Sequence, residues 1–210
     1  MLGGIMKTLI DCYVDVFRFA LILEKQPDFN HNYQYVREKT TEVFERAAKA
    51  AESQGYSDSE CDRALLAVMV WFDEFILSSS LSYAKQWKDI LLQTQLFQTT
   101  TGGDVFFNQL EKIDKNENEL RMVYLLCLRL GFHGKYNKDN DIFLDKTIAN
   151  EEKCLPEYCY LKLVDISHKL MCSRKKSIIK LILNRVINRR WSASIIVLLF
   201  FSVISWIEFF

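Results

Sequence analysis

The chain has 210 residues, half of them hydrophobic and 26% charged, which is enough to bury a sizeable core and too apolar for a disordered protein. Seven Gly and two Pro leave little turn-forming material for an all-β fold, so the composition indicates an all-α protein. Lys plus Arg and Asp plus Glu number 27 each, and this balance gives no electrostatic footprint for nucleic acid.

Apolar residues at Met6, Leu9, Ile10, Tyr13, Val14, Phe17 and Leu21 follow a three-four spacing opposite Lys7, Asp11, Asp15 and Arg18, which predicts a first amphipathic helix over 5–24. Asp11 and Asp15 also interrupt what would be the apolar region of a secretory signal, so none is read here. A second helix is predicted from about Asn32 to Ser53, with Val36, Val43, Phe44, Ala47 and Ala51 inward and Glu42 to Arg46 and Glu45 to Lys49 paired on the outside. Gly55 closes it, and Ser57 with Glu60 forms a capping box for a third helix. That helix carries nine consecutive apolar residues, Ala64 to Phe72, and is expected to be wrapped by others as the centre of the first bundle.

A Ser-rich break at 78–82 precedes shorter predicted helices around Lys85 to Phe97, Asp104 to Ile113 and Asn118 to Leu130, the last ended by Gly131. Gly102 and Gly103 separate the first two of these. A polar loop runs from Gly131 to Asp141, followed by a helical region at Ile142 to Ile148 and a final helix from near Pro156 to about Cys172. No internal repeat is visible.

Charge changes sharply toward the carboxyl end. Residues 1–171 carry 20 basic and 26 acidic side chains, whereas 172–190 carry seven basic and no acidic ones. The stretch 191–207 then has no charge and a Trp at each end, Trp191 and Trp206. Its helical length is about 25 Å, the short end of what a bilayer accepts, and snorkelling of Arg189 and Arg190 extends it. We read 191–207 as a transmembrane helix, with the positive flank placing the amino-terminal domain in the cytoplasm. Residues 173–190 keep a polar stripe and are expected to lie along anionic membrane lipid. Only residues 208–210 follow, so no domain is expected beyond the span.

Few constellations suggest chemistry. Asp73 and Glu74 are adjacent, so on a helix they point about 100° apart and do not form a convergent dyad. They read either as a helix surfacing, or as a partner-facing acidic spot, or as structural carboxylates accepting hydrogen bonds from a neighbouring loop. Cys154, Cys159, His168 and Cys172 have the letters of a zinc cluster, but Cys159 and His168 fall on opposite sides of one helix. Cys12, Cys61 and Cys127 sit in apolar stripes, where a reduced Cys acts as a small hydrophobe. Gly102-Gly103-Asp104 lacks the Lys and Ser or Thr of a phosphate loop, and no HExxH or GxSxG occurs. No cofactor is expected.

Three spaced motifs carry a resemblance. Trp87-x3-Leu91-Leu92, Gly102-Gly103-Asp104-x-Phe106-Phe107-x2-Leu110, and Glu119-Leu-x3-Tyr124 continuing through Gly131-Phe132-x-Gly134-Lys135-Tyr136 resemble the DotU/IcmH family, also called TssL, of type VI secretion inner-membrane components, which has a relative in type IVB secretion. An Ala-rich helix ending in Asp73-Glu74 and the apolar tail agree with its layout. Two features depart from it: Trp71-Phe72 stand where the family usually has small or aliphatic residues, and the peptidoglycan-binding domain that some members carry after the span is not expected here.

The resemblance implies a hook-like cytoplasmic domain of two packed three-helix bundles, over about 5–79 and 84–172, followed by the basic segment 173–190, the span 191–207 and a short tail. It implies no catalytic activity. It also implies docking to an IcmF/TssM-like inner-membrane protein and to baseplate subunits. On it we assign Gly103, Phe106, Phe107, Gly131, Phe132 and Gly134 to structure, and Asp73, Glu74, Trp87, Asp104, Lys135 and Tyr136 to partner binding. Arg189, Arg190, Trp191 and Trp206 anchor the span, and small residues within the span suggest a homodimer through it. The rival from another class is a membrane-tethered zinc or thiol enzyme built on Cys154 to Cys172.

Overall fold

Ser57 starts the helix on which the rest of the fold is built. Its hydroxyl accepts from the Glu60 amide at 3.2 Å while the Glu60 carboxylate accepts from the Ser57 amide at 3.1 Å, completing the predicted capping box. From there α3 (Asp58–Ser78) runs for 21 residues. In this computed structural model, residues 7–25, 32–136 and 141–172 are described. Among the described residues the structure is helical and contains no strand.

Before α3 come α1 (Leu9–Lys25) and α2 (Tyr33–Ser53); after it come α4 (Ala84–Trp87), α5 (Leu92–Phe97), α6 (Gly102–Leu110), α7 (Asn118–Arg129) and α8 (Asp141–Lys153). A last helix, α9, covers 157–172. The expected single helix over Lys85 to Phe97 is corrected to two short ones, α4 and α5, which hydrogen bonds to α3 set apart (below). The α6 helix starts two residues earlier and ends three earlier than expected, and α8 extends five residues beyond Ile148.

Ala64 and Leu66 to Phe72 are buried because α3 packs against α1, α2, α4, α5, α6 and α7, and α1 also meets α7. Each large apolar side chain buried in this way contributes about 1.5–3 kcal/mol. The described residues up to Met171 belong to one compact unit, and of 172–210 only Cys172 is among the described residues. The expected span at 191–207, its anchors Arg189, Arg190, Trp191 and Trp206, and the basic segment 173–190 lie outside the described residues. Among the described residues no helix is long and apolar enough to cross a membrane.

Two aromatic groups fill the core. Phe17, Phe44, Trp71 and Phe72 meet edge-to-face between α1, α2 and α3, with ring centroids 4.6 Å apart for Phe17 and Trp71. Phe106 is the centre of the other, 4.4 Å from Phe132 and 4.7 Å from Tyr124. Partly or wholly buried ion pairs tie elements distant in sequence. Arg63 binds Glu117 at 2.9 Å, Arg121 binds Glu151, and Arg129 binds Glu152 at 2.6 Å. On α2, Glu42 is held at 2.6 Å by Lys39. Lys162 of α9 reaches the Asp11 carboxylate at 2.6 Å and the Thr8 hydroxyl at 2.7 Å, closing the last helix onto the first.

Candidate interaction site

The fifth helix has a capping problem. Leu91 at its N-cap position has no side-chain oxygen, so the leading N–H groups of α5 need an acceptor from elsewhere. Asp73 of α3 supplies it. Its Oδ1 accepts from the Leu92 amide at 3.1 Å and its Oδ2 from the Gln93 amide at 3.0 Å, while Oδ1 also accepts from the Trp87 indole Nε1 at 2.8 Å. Asp73 is wholly buried, and burial raises its carboxyl above the usual range against the opposing pull of these three donors.

Trp87 is buried too, and Arg37 of α2 lies 4.5 Å over its ring. The same guanidinium donates to the Ile90 carbonyl at 3.1 Å and to Gln95. The α4–α5 segment is thus gripped by a carboxylate from α3 and a cation from α2.

Glu74, one residue on, points to a different loop. Its two oxygens accept from the His133 amide at 2.8 Å and the Gly134 amide at 2.9 Å. That loop begins with a Schellman turn: the Phe132 amide donates to the Cys127 carbonyl at 3.1 Å and the Gly131 amide to Leu128 at 3.0 Å, with Gly131 at φ +94°. The 100° between neighbouring helical side chains therefore lets one dipeptide hold two loops.

Gly103 brings α6 to the same loop. A Cβ placed there would come within 2.9 Å of the Gly134 backbone, so only Gly permits the approach. Phe107 and Phe132 pack beneath, and Tyr136 meets Phe107 edge-to-face at 4.7 Å. Lys135 is exposed, its ammonium 5.3 Å from the Phe107 ring and 5.6 Å from that of Tyr136. Asp104 is exposed on the first turn of α6.

The structure sorts the residues assigned to partner binding. Lys135, Asp104 and the half-buried Glu74 and Tyr136 reach the surface around the 131–136 loop. Asp73 and Trp87 are corrected: with no exposed surface and with their polar atoms engaged by one another and by α5, they hold the scaffold rather than face a partner. Sequence reasoning missed Arg37 and Gln93, whose contacts join residues more than 20 positions apart or depend on the placement of α5. Had the break before Leu92 been read from the sequence, the absence of a capping side chain at Leu91 would have been the signal for an external acceptor.

The Cys154 to Cys172 set does not converge. Cys154 is exposed at the end of α8 and donates to the Asn150 carbonyl, Cys159 is buried, and His168 is exposed on α9. Among the described residues no three His, Cys, Asp or Glu side chains are placed to share a metal ion. Burial pushes the Cys12, Cys61, Cys127 and Cys159 thiols up, away from the reactive thiolate.

The fold is thus an all-helical scaffold in which adjacent carboxylates of α3 bind the backbone of two other segments, the start of α5 and the 131–136 loop. The sequence matches the family described as Type VI secretion system protein DotU over residues 8–207, and this chain belongs to that family. The fold is similar to the cytoplasmic domain of TssL from Acinetobacter baumannii, with a TM-score of 0.60 and 24% identity over 78% of this chain and 99% of that one. It is also similar to SciP/TssL from enteroaggregative Escherichia coli 042, with a TM-score of 0.55 and 19% identity over 70% of this chain and 89% of that one. No curated protein sequence matches it significantly.

Proposed function

We propose that this chain is a docking subunit of the type VI secretion machine, held in the bacterial inner membrane by 191–207 with its helical domain in the cytoplasm. The observation that carries the reading is the extent of the family match, which runs through residue 207 and so takes in the uncharged stretch together with the helical domain. The seven-residue excess of positive charge in 172–190 supports the orientation. We take type VI over type IVB because the family's description names it.

In this role the protein carries out no reaction. Its domain, read as two bundles sharing a hook-like outline, presents the 131–136 loop to partners, an IcmF/TssM-like membrane protein and baseplate subunits. Lys135, Asp104, Glu74 and Tyr136 are the candidate contacts. Pairing of two copies through small residues of the span, such as Ser194 and Ser202, would double the platform.

Protease added to intact spheroplasts tests the arrangement. The helical domain should survive until the inner membrane is permeabilised. Digestion from outside would overturn the orientation, and recovery of the full chain in the soluble fraction would overturn the anchor. Co-purification with the secretion subunits should then weaken in Tyr136→Ala when equal amounts of folded protein are compared.

A further inference from the structure

An apolar groove lies between α2, α3 and α5, and no residue of the 131–136 loop lines it. Its volume is about 310 Å³, and its walls are Phe44 and Ala48 from α2, Leu65 and Met69 from α3, and Leu92 and Leu96 from α5. Leu96 is 55% exposed, and Leu65 is only half buried, so the chain leaves both uncovered. A space of this size is at the lower end of specific pockets. On α2 the lining runs from Thr41 to Ala48, two helical turns or about 10 Å, which suits side chains arriving at i and i+3 or i+4 from another helix.

The charge of the rim chooses the kind of helix. Glu45 is the one ionisable side chain lining the groove, it is exposed, and it has no hydrogen bond or ion pair among the described residues. Nearby cations are engaged or set aside. Arg37 is spent on Trp87, the Ile90 carbonyl and Gln95. Lys39 binds Glu42, Arg46 stands beside that same carboxylate, and Lys49 falls outside the lining. An apolar trough with an unpaired carboxylate on its edge fits an apolar helix face flanked by Lys or Arg.

We propose that the groove between α2, α3 and α5 is a docking site for a basic amphipathic helix of a partner protein, with two or more aliphatic anchors in the trough and a cation on Glu45. The site is independent of how the chain is held in a membrane and of the 131–136 loop, so its failure would leave the reading above intact. A helix seated there would bridge α2 to α5 and cover Leu96 and Leu65.

The test uses the full chain in phosphatidylcholine nanodiscs, with empty discs as blank, and two fluorescent amphipathic peptides. Both present Leu at i, i+4 and i+7; one is flanked by Lys, the other by Glu at the same positions. The Lys peptide should bind saturably and at least about ten-fold more tightly than the Glu peptide. Leu96→Glu should weaken it about ten-fold or more, and Glu45→Lys should reverse the order of the two peptides. Both substitutions are at exposed positions, and unchanged thermal unfolding verifies that they leave the fold intact. Equal binding of the two peptides, or binding that ignores Leu96→Glu, overturns the proposal. So does a dimer in sedimentation that Leu96→Glu dissociates, because a second copy would then be the occupant.

Discussion

The indole of Trp87 donates to the carboxylate of Asp73 at 2.8 Å inside the core, where neither residue has exposed surface. A charged group is stable there only because three donors converge on it. This relationship makes Asp73 a joint of the fold.

Removing that joint should be costly. Asp73→Ala leaves the Trp87 indole N–H and the Leu92 and Gln93 amides buried without an acceptor, and should destabilise the protein by about 3–5 kcal/mol. Asp73→Asn keeps one carbonyl oxygen but turns an amino group toward a donor, and should cost about 1–3 kcal/mol. Chemical denaturation followed by Trp fluorescence measures both. An effect below about 0.5 kcal/mol in the Ala variant would show that α5 is held by other contacts.

Glu74 should behave differently, because it is half exposed and serves a loop. Glu74→Gln can accept only through its carbonyl oxygen, so one of the His133 and Gly134 amides is left to solvent. Hydrogen exchange at one of these two amides should accelerate by about ten-fold, with global stability changed by less than about 1 kcal/mol. Equal slowing or no change at both amides would contradict the assigned acceptors.

Two carboxylates should give stability of opposite pH dependence. Burial works to raise the Asp11 carboxyl, but hydrogen bonds from Lys162 and Thr8 outweigh it, and the group is held below its ordinary value. Its contribution is therefore complete above the unfolded value and lost as pH falls through the lower folded value. With both side chains about a third exposed, that contribution is about 0.5–1 kcal/mol. Asp73 is shifted upward, so the folded state takes up its proton first and this site loses stability as pH rises from the unfolded value through the folded one. Asp11→Asn should flatten the acid side of a stability profile below about pH 4, and Asp73→Asn should steepen the loss of stability on acidification. Profiles from urea melts between pH 3 and 7 decide whether the two variants differ in sign.

Gly103→Ala places a methyl group 2.9 Å from the Gly134 backbone, which has no flexible end to yield. The loop must move off α6, at an expected cost of about 1–3 kcal/mol. Gly134→Ala adds a contact of 2.9 Å with the Phe132 ring to a backbone at φ +56°, and should cost a similar amount. Thermal unfolding tests both, and a neutral result at Gly103 would show that the loop has room to give.

What the sequence by itself determined is what depends on neighbours along the chain. Helical periodicity, the Ser57 and Glu60 box and the turn at Gly131 are set within a few residues, so α1, α2, α3 and α7 lie close to where their patterns put them. The nine-residue apolar run marked α3 as the buried helix, since no polar stripe was available to face water. The three motifs that carried the family resemblance belong to the same layer. The roles of Asp73, Glu74 and Gly103 were decided only by the tertiary structure. Two adjacent carboxylates look alike in a sequence, but here one is aimed at the uncapped start of α5 and the other at the loop after α7, 19 and 59 positions away. Burial made the difference: a carboxylate enclosed by the core must be satisfied by donors that packing delivers, and which donors those are depends on how α3, α5, α6 and α7 meet.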